Sequence, residues 1–170
     1  MNTRAEGGAL WFPRRYQGDG RHDNPDVYAC LYLALEPVAA IVEQLARFRG
    51  SVIVPQILRR RGLPLALATI ELDDRTHLVD LDDPRLLAAR RLRPSRIVTR
   101  QRDVTQPQAL AFYRRGANGL RWWSTFESLW TNVTLFDRVA SRLRVASVAA
   151  LTADGATLRE AADLLGIAPA

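Results

Sequence analysis

The sequence predicts an α+β fold: a split or largely antiparallel β-sheet core with flanking helices. Three observations carry this. Extended and helical patterns are mixed along the chain without a regular βαβ rhythm, which argues against a doubly wound sheet. Apolar extended runs at 29–35, 64–73 and 129–137 read as strands. Two amphipathic patterns, at 37–48 and 157–166, each present one apolar stripe to a core.

The elements follow in order. Residues 1–9 are rich in glycine and polar groups and are expected to be disordered, leaving 10–170 as a single domain. "ALWF" (9–12) is a short strand candidate ended by Pro13, and 13–29 is a long loop of turn formers. "ACLYLAL" (29–35) reads as a buried strand. Pro37 then suits the first position of a helix whose apolar face is Val38, Ile41, Val42 and Leu45. Residues 51–62 suggest a short strand and one helical turn, 64–73 and 77–81 strands, and 83–92 a helix. A helix beginning near Pro107 ends at Gly116. Strands at 120–125 and 129–137 are expected to be joined by a tight turn, with another strand at 142–151. The last helix, 157–166, shows a capping-box pattern at Thr157 and Glu160, a stripe of Leu158, Ala161, Ala162 and Leu165, and a stop at Gly166.

With 170 residues and 48% hydrophobic composition, the chain can bury one substantial core. No apolar run approaches the ~20 residues of a membrane helix. The N-terminus lacks the apolar centre of a secretory signal, so a cytoplasmic location without membrane association is expected. Cys30 is the single cysteine; set in an apolar strand with no base beside it in sequence, it reads as an inert core thiol. His22 and His77 have no metal-ligand spacing, and no metal is expected. Phosphate-cradling glycine loops and the G-x-S-x-G turn are missing. "LREAADLLGIAP" looks like half a helix-turn-helix, but a recognition helix would have to follow Ala170, so it reads as a packing helix.

The net charge of +6 comes from arginine alone, for the chain has no lysine. Arginine suits paired binding of phosphate or carboxylate, although a coding bias gives the same composition. A basic surface fits nucleic acid, an anionic cofactor or an acidic protein. No dense basic tract with interleaved aromatics is present, so direct nucleic-acid binding is not expected.

Five polar side chains stand beside apolar strands. Arg21 lies in a glycine-flanked turn, Tyr32 interrupts an apolar strand, and Glu43 sits on the following helix, 11 residues further each time. Glu43 lies roughly 150° from the centre of its helix's apolar face, so it faces water or a cleft. Ser124 follows Trp122 and Trp123, and Arg121 precedes them. Each also has an ordinary reading: a solvated turn residue, strand filler, a surface pair of Glu43 with Arg47, a strand-end hydroxyl.

Taken together, "GDGRHDNP", "CLYLALEP", "AAIVEQL" and, later, "GANGLRWWST" and "VTLFD" resemble the RES domain family, named for its arginine, glutamate and serine. The resemblance spans roughly residues 10–165. It implies an ADP-ribosyltransferase-like fold and a toxin of a toxin–antitoxin pair. Such a toxin consumes NAD+ by phosphorolysis or hydrolysis at the nicotinamide–ribose bond, with inorganic phosphate as a co-substrate in the first case. It also implies an Xre-like antitoxin as partner, with which an oligomer can form. In this reading Arg21 holds the pyrophosphate or incoming phosphate, and Tyr32 stacks on nicotinamide or ribose. Glu43 stabilises an oxocarbenium-like charge, and Ser124 hydrogen-bonds the ribose or carboxamide. Arg121 is a candidate second phosphate contact. Two departures stand out. His22 replaces the usual aromatic after the loop arginine. "LWFPRR" stands where an arginine soon after an aromatic is usual, with Arg14 or Arg15 as candidate substitutes. The alternatives are an ADP-ribosyltransferase that modifies a protein target, and a non-catalytic basic binding module.

Overall fold

A computed structural model describes residues 3–169. The strands and helices run β1 (Cys30–Ala34), α1 (Pro37–Leu45), β2 (Arg59–Arg60), β3 (Leu63–Pro64), β4 (Ala66–Leu72), β5 (Val79–Asp80), α2 (Pro84–Arg90), α3 (Pro94–Ile97), α4 (Arg102–Arg114), β6 (Gly119–Trp123), β7 (Thr131–Phe136), β8 (Leu143–Ala150) and α5 (Ala156–Leu165). Short 3-10 turns occupy Arg14–Tyr16, Ala46–Phe48 and Asp137–Arg142. The chain divides into two compact units, 1–33 with 72–144 and 34–71 with 145–170.

The first unit is built on a four-stranded sheet of order β1-β7-β6-β5. β6 and β7 are antiparallel, and β5 joins β6 in parallel, so the sheet is mixed. Leu120 pairs with Thr134 and Trp122 with Asn132. Side chains alternate across a strand, so these four share one face and Arg121 takes the other. Packed in the same core are Tyr28, Leu87, Ile97, Ala109, Phe112 and Phe136. Tyr28, Tyr113 and Phe136 form a ring cluster with centroids 4.4–5.3 Å apart.

Helix α4 starts at Arg102, five residues before the position Pro107 suggested, and the proline lies inside it. Pro107 is the sixth residue of α4, past the first turn, so the helix loses the bond that an amide there would make to the Asp103 carbonyl. Contacts with the loop offset that loss. Arg102 donates to Asp19 O (2.6 Å), Thr105 Oγ1 to Arg21 O (2.5 Å), and Gln106 Nε2 to Gly18 O and Gly20 O (2.9 Å each).

Other expectations change here. The 9–12 segment is not a strand; its Phe12 carbonyl is taken by the Gln17 side chain (3.1 Å), not by a neighbouring strand. Residues 3–9, expected to be disordered, form turns closed by Gly8 N to Ala5 O and Leu10 N to Thr3 O, with Arg4 donating to Ala140 O and Leu143 O. Residues 1 and 2 of that expected tail lie outside the described residues. The β6–β7 link is a seven-residue loop, not a tight turn, because Ser124 Oγ and Glu127 Oε1 accept from its Phe126 and Leu129 amides.

The second unit holds α1, α5, the β2–β3 hairpin and the two-stranded β4–β8 sheet. Pro37 is the first residue of α1, as its fixed φ favours. Ala39, Ile41, Val42 and Leu45 are buried on α1, and Leu158, Ala161, Ala162 and Leu165 on α5, where the two helices pack. Alanines on both faces permit close approach. α5 begins at Ala156 behind Gly155, whose amide bonds to Thr152 O, so Thr157 lies inside the first turn and the expected capping box does not form. The expected helical turn in 51–62 is instead a pair of β-turns leading into β2.

Candidate active site

The loop before β1 is closed on itself by one carboxylate. Asp23 Oδ2 accepts from the amides of Gly18 and Gly20, both at 2.8 Å, and Oδ1 accepts from the Tyr32 hydroxyl at 2.6 Å. That hydroxyl in turn accepts from the His22 amide at 2.9 Å. A Cβ at Gly20 would stand 2.5 Å from both Asp23 Oδ1 and the Tyr32 oxygen, so glycine is required there for steric reasons. Gly18 has φ +144, a backbone conformation that favours glycine. Tyr32 is 38% exposed, while its hydroxyl is held by Asp23 and the His22 amide. Burial first, then Cys30 and the Asp23 carboxylate, push the phenol far above the ordinary tyrosine range, so it stays protonated.

The turn delivers Arg21 into the unit, where it is 8% exposed. Its guanidinium lies 4.6 Å from the Trp122 ring centroid. Its Nη1 donates to the carbonyls of Ile97 (3.0 Å), the last residue of α3, and of Thr99, in the link to α4. Backbone carbonyls and an aromatic face thus fix the direction of the guanidinium.

His22 is buried, and its ring occupies the place of the aromatic expected there. It stacks on Tyr32 at 6.4 Å with planes 21° apart and meets Trp122 edge-on at 5.4 Å. Its Nδ1 is 2.8 Å from Thr134 Oγ1, which also accepts from Trp122 Nε1 at 3.1 Å. Burial first, with Arg21 and Arg102 adding to it, lowers the imidazole to about 3, so the ring is neutral near pH 7. Cys30 is buried and donates to His22 O; burial, then the Asp23 carboxylate, push its thiol up, as an inert core thiol requires.

Ser124 is buried at the end of β6, on the Trp122 face by strand alternation, with its Oγ accepting from Phe126 N at 3.1 Å. Arg100 lies 5.7 Å from the Phe126 ring. Arg121, on the other face of β6, approaches Asp80 at 4.0 Å and is not brought to this cluster. Glu43 is exposed on α1, in the second unit, while Arg47 lies over the Phe48 ring at 4.8 Å. Arg14 pairs with Asp137 at 3.0 Å, and Arg15 lies over Tyr16 at 4.9 Å. Arg21, Tyr32 and the Trp122–Ser124 strand end therefore belong to one unit.

A family model described as the RES domain matches residues 3–155. The chain belongs to the RES domain family. Among solved structures, this RES protein is similar to a chain of the M. tuberculosis MbcT–MbcA toxin–antitoxin complex, with a TM-score of 0.62 and 19% identity over 85% of this chain and 75% of that one. The likeness shows a shared fold, and the sheet with flanking helices bears out the expected α+β class. A search of curated proteins returns no match. Among the described residues of the RES chain, no group of His, Cys, Asp or Glu is placed to hold a metal ion, and no helix is long and apolar enough to cross a membrane.

Sequence reasoning named neither Asp23 nor Thr134 nor Trp122 as part of this site. Asp23 had one signal: a carboxylate two residues after the loop arginine, in a turn with two glycines to cap. Thr134 and the indole N–H of Trp122 gave none, because they meet only once β6 and β7 pair and the loop brings His22 to Thr134.

Proposed function

We propose that this RES protein is the toxin of a toxin–antitoxin pair and that it consumes NAD+. The chemistry is cleavage of the bond between nicotinamide and ribose C1′. The electron pair of the breaking C1′–N bond leaves with nicotinamide, and an oxygen of phosphate or water bonds to C1′ while its proton passes to solvent. Family membership supports the reading, and so does the fold shared with a chain of a toxin–antitoxin complex. The observation that carries it is Arg21, buried, stacked on Trp122 and locked beside Tyr32.

Each residue has a role in this proposal. The Arg21 fork binds the pyrophosphate or the attacking phosphate. The exposed ring of Tyr32 stacks on nicotinamide or ribose. Ser124 hydrogen-bonds the carboxamide or the nicotinamide-side ribose. Glu43 places a negative charge against the positive charge that develops at C1′. Its helix is anchored through the opposite face, which keeps the carboxylate on a rigid element. For the partner, an Xre-like antitoxin with an acidic contact surface fits the charge distribution. Between Pro84 and Arg102 the chain has seven arginines, all exposed, and no carboxylate.

Incubating the purified protein with NAD+, with and without inorganic phosphate, tests the reading. Free nicotinamide is expected, with ADP-ribose as the other product in water and its 1″-phosphate in phosphate buffer. Folded protein that leaves NAD+ intact in both buffers would refute it. ADP-ribose on a protein would move the assignment to a transferase.

A further inference from the structure

We infer that Asp23 is a positioning residue of the NAD+ site: it makes the Arg21 turn and the Tyr32 ring into one rigid unit. The inference deepens the proposed function and rests on it. Asp23 touches no reacting atom in this scheme. It acts through what it holds.

The geometry is specific. One carboxylate, 4% exposed, receives three hydrogen bonds: two from the glycine amides on one side of Arg21 and one from the hydroxyl of Tyr32. Tyr32 closes the circuit by accepting from the amide of His22, the residue next to Arg21. The loop that carries the phosphate-binding arginine and the strand that carries the stacking ring are therefore joined through a single side chain. Gly20 packs against both atoms of that joint, with no room for a Cβ. On the other flank Gln106 Nε2 grips the carbonyls of Gly18 and Gly20, so α4 fixes the same turn from outside. A bound dinucleotide needs its pyrophosphate and its nicotinamide end held at a fixed separation, and orientation of this kind contributes to both binding and rate.

Substitutions separate the two halves of the role. Asp23→Ala removes both. Asp23→Asn can turn its oxygen to the glycine amides and keep the turn, but it then offers Tyr32 an N–H in place of an acceptor. Tyr32→Phe leaves the turn and removes the link. NAD+ consumption is measured for the wild type, the three single variants and Asp23→Asn/Tyr32→Phe, with KM and kcat resolved and urea unfolding as the check on folding. Asp23→Ala is expected to raise KM for NAD+ about tenfold or more. Asp23→Asn should recover most of that loss, and the double variant should be no worse than Tyr32→Phe. Should Asp23→Ala not fold, Asp23→Asn and the double variant still give the comparison. Wild-type KM in Asp23→Ala, or fully additive losses in the double variant, would overturn the positioning role while leaving NAD+ consumption standing. A wild-type protein that neither binds nor consumes NAD+ removes the proposed function and this role together.

Discussion

At the scale of single residues, the site is set by what surrounds each side chain more than by its identity. His22 shows this. A histidine in a glycine-rich loop looks like a titrating surface group, yet it is buried between Tyr32 and Trp122 and held by Thr134. With its folded pKa lowered from 6.5 to about 3, the unfolded chain binds the proton more readily across that interval. The stability it contributes is whole above about pH 6.5 and is lost as pH falls toward 3, at up to about 1.4 kcal/mol per pH unit. Urea midpoints measured between pH 4 and 8 should decline on the acid side. His22→Phe keeps an aromatic ring and removes the proton, so its curve should be flatter there. Parallel curves for the two proteins would mean that other groups govern acid stability. The residues carrying this cluster were only half legible. Arg21, Tyr32 and Ser124 could be singled out as candidates, from their places beside apolar strands and from the resemblance. Thr134 gained its role from a contact with His22 across a long stretch of chain, which a linear pattern does not encode, whereas Asp23 bonds only within its own loop and the next strand.

Elements followed the apolar periodicity wherever burial decides. β1, β6, β7 and α5 fall within a residue or two of their expected bounds, α1 ends three residues early where a 3-10 turn takes over, and the α5 stripe is buried as read. Where local chemistry was the guide, tertiary contacts overruled it. Pro107 did not start α4, since the loop grips the turn before it. Thr157 does not cap α5, since Gly155 takes that place. The β6–β7 link is long because side chains cap its turn amides. Two substitutions in α5 distinguish stripe from cap. Leu158, 1% exposed, should cost about 2–5 kcal/mol on change to alanine, from lost transfer energy plus the cavity left behind. Thr157→Ala should stay within about 0.5 kcal/mol, where a true N-cap would cost about 1 kcal/mol. Chemical denaturation of the two variants measures both, and a large loss in Thr157→Ala would restore the capping box.

At the scale of the whole molecule, a single domain over 10–170 was expected; the chain has two compact units, and one family model runs across both. Nothing in composition marks the divisions. One falls at Leu33–Ala34 inside β1, one at Glu71–Leu72 inside β4 and one at Arg144–Val145 inside β8, so apolar strand sequence runs straight through each. Linker signals work only where the connecting chain is polar and irregular. The same division gives the site residues different kinds of test. Arg21 is knitted into its unit by stacking and backbone contacts, so Arg21→Ala should impair folding as well as NAD+ binding. Glu43 is exposed on α1, and Glu43→Gln removes its charge while keeping the size of the side chain. If the carboxylate stabilises the cation at C1′, its loss should appear in kcat, by roughly 10²–10³-fold, with KM nearly constant. Unfolding midpoints should match the wild type. In cells, expression of the wild-type chain should slow growth and deplete NAD+, and Glu43→Gln should do neither at equal protein level. A Glu43→Gln protein that still empties the NAD+ pool would remove the carboxylate from the mechanism, and would leave Arg21, Tyr32 and Ser124 to account for the chemistry from one unit alone.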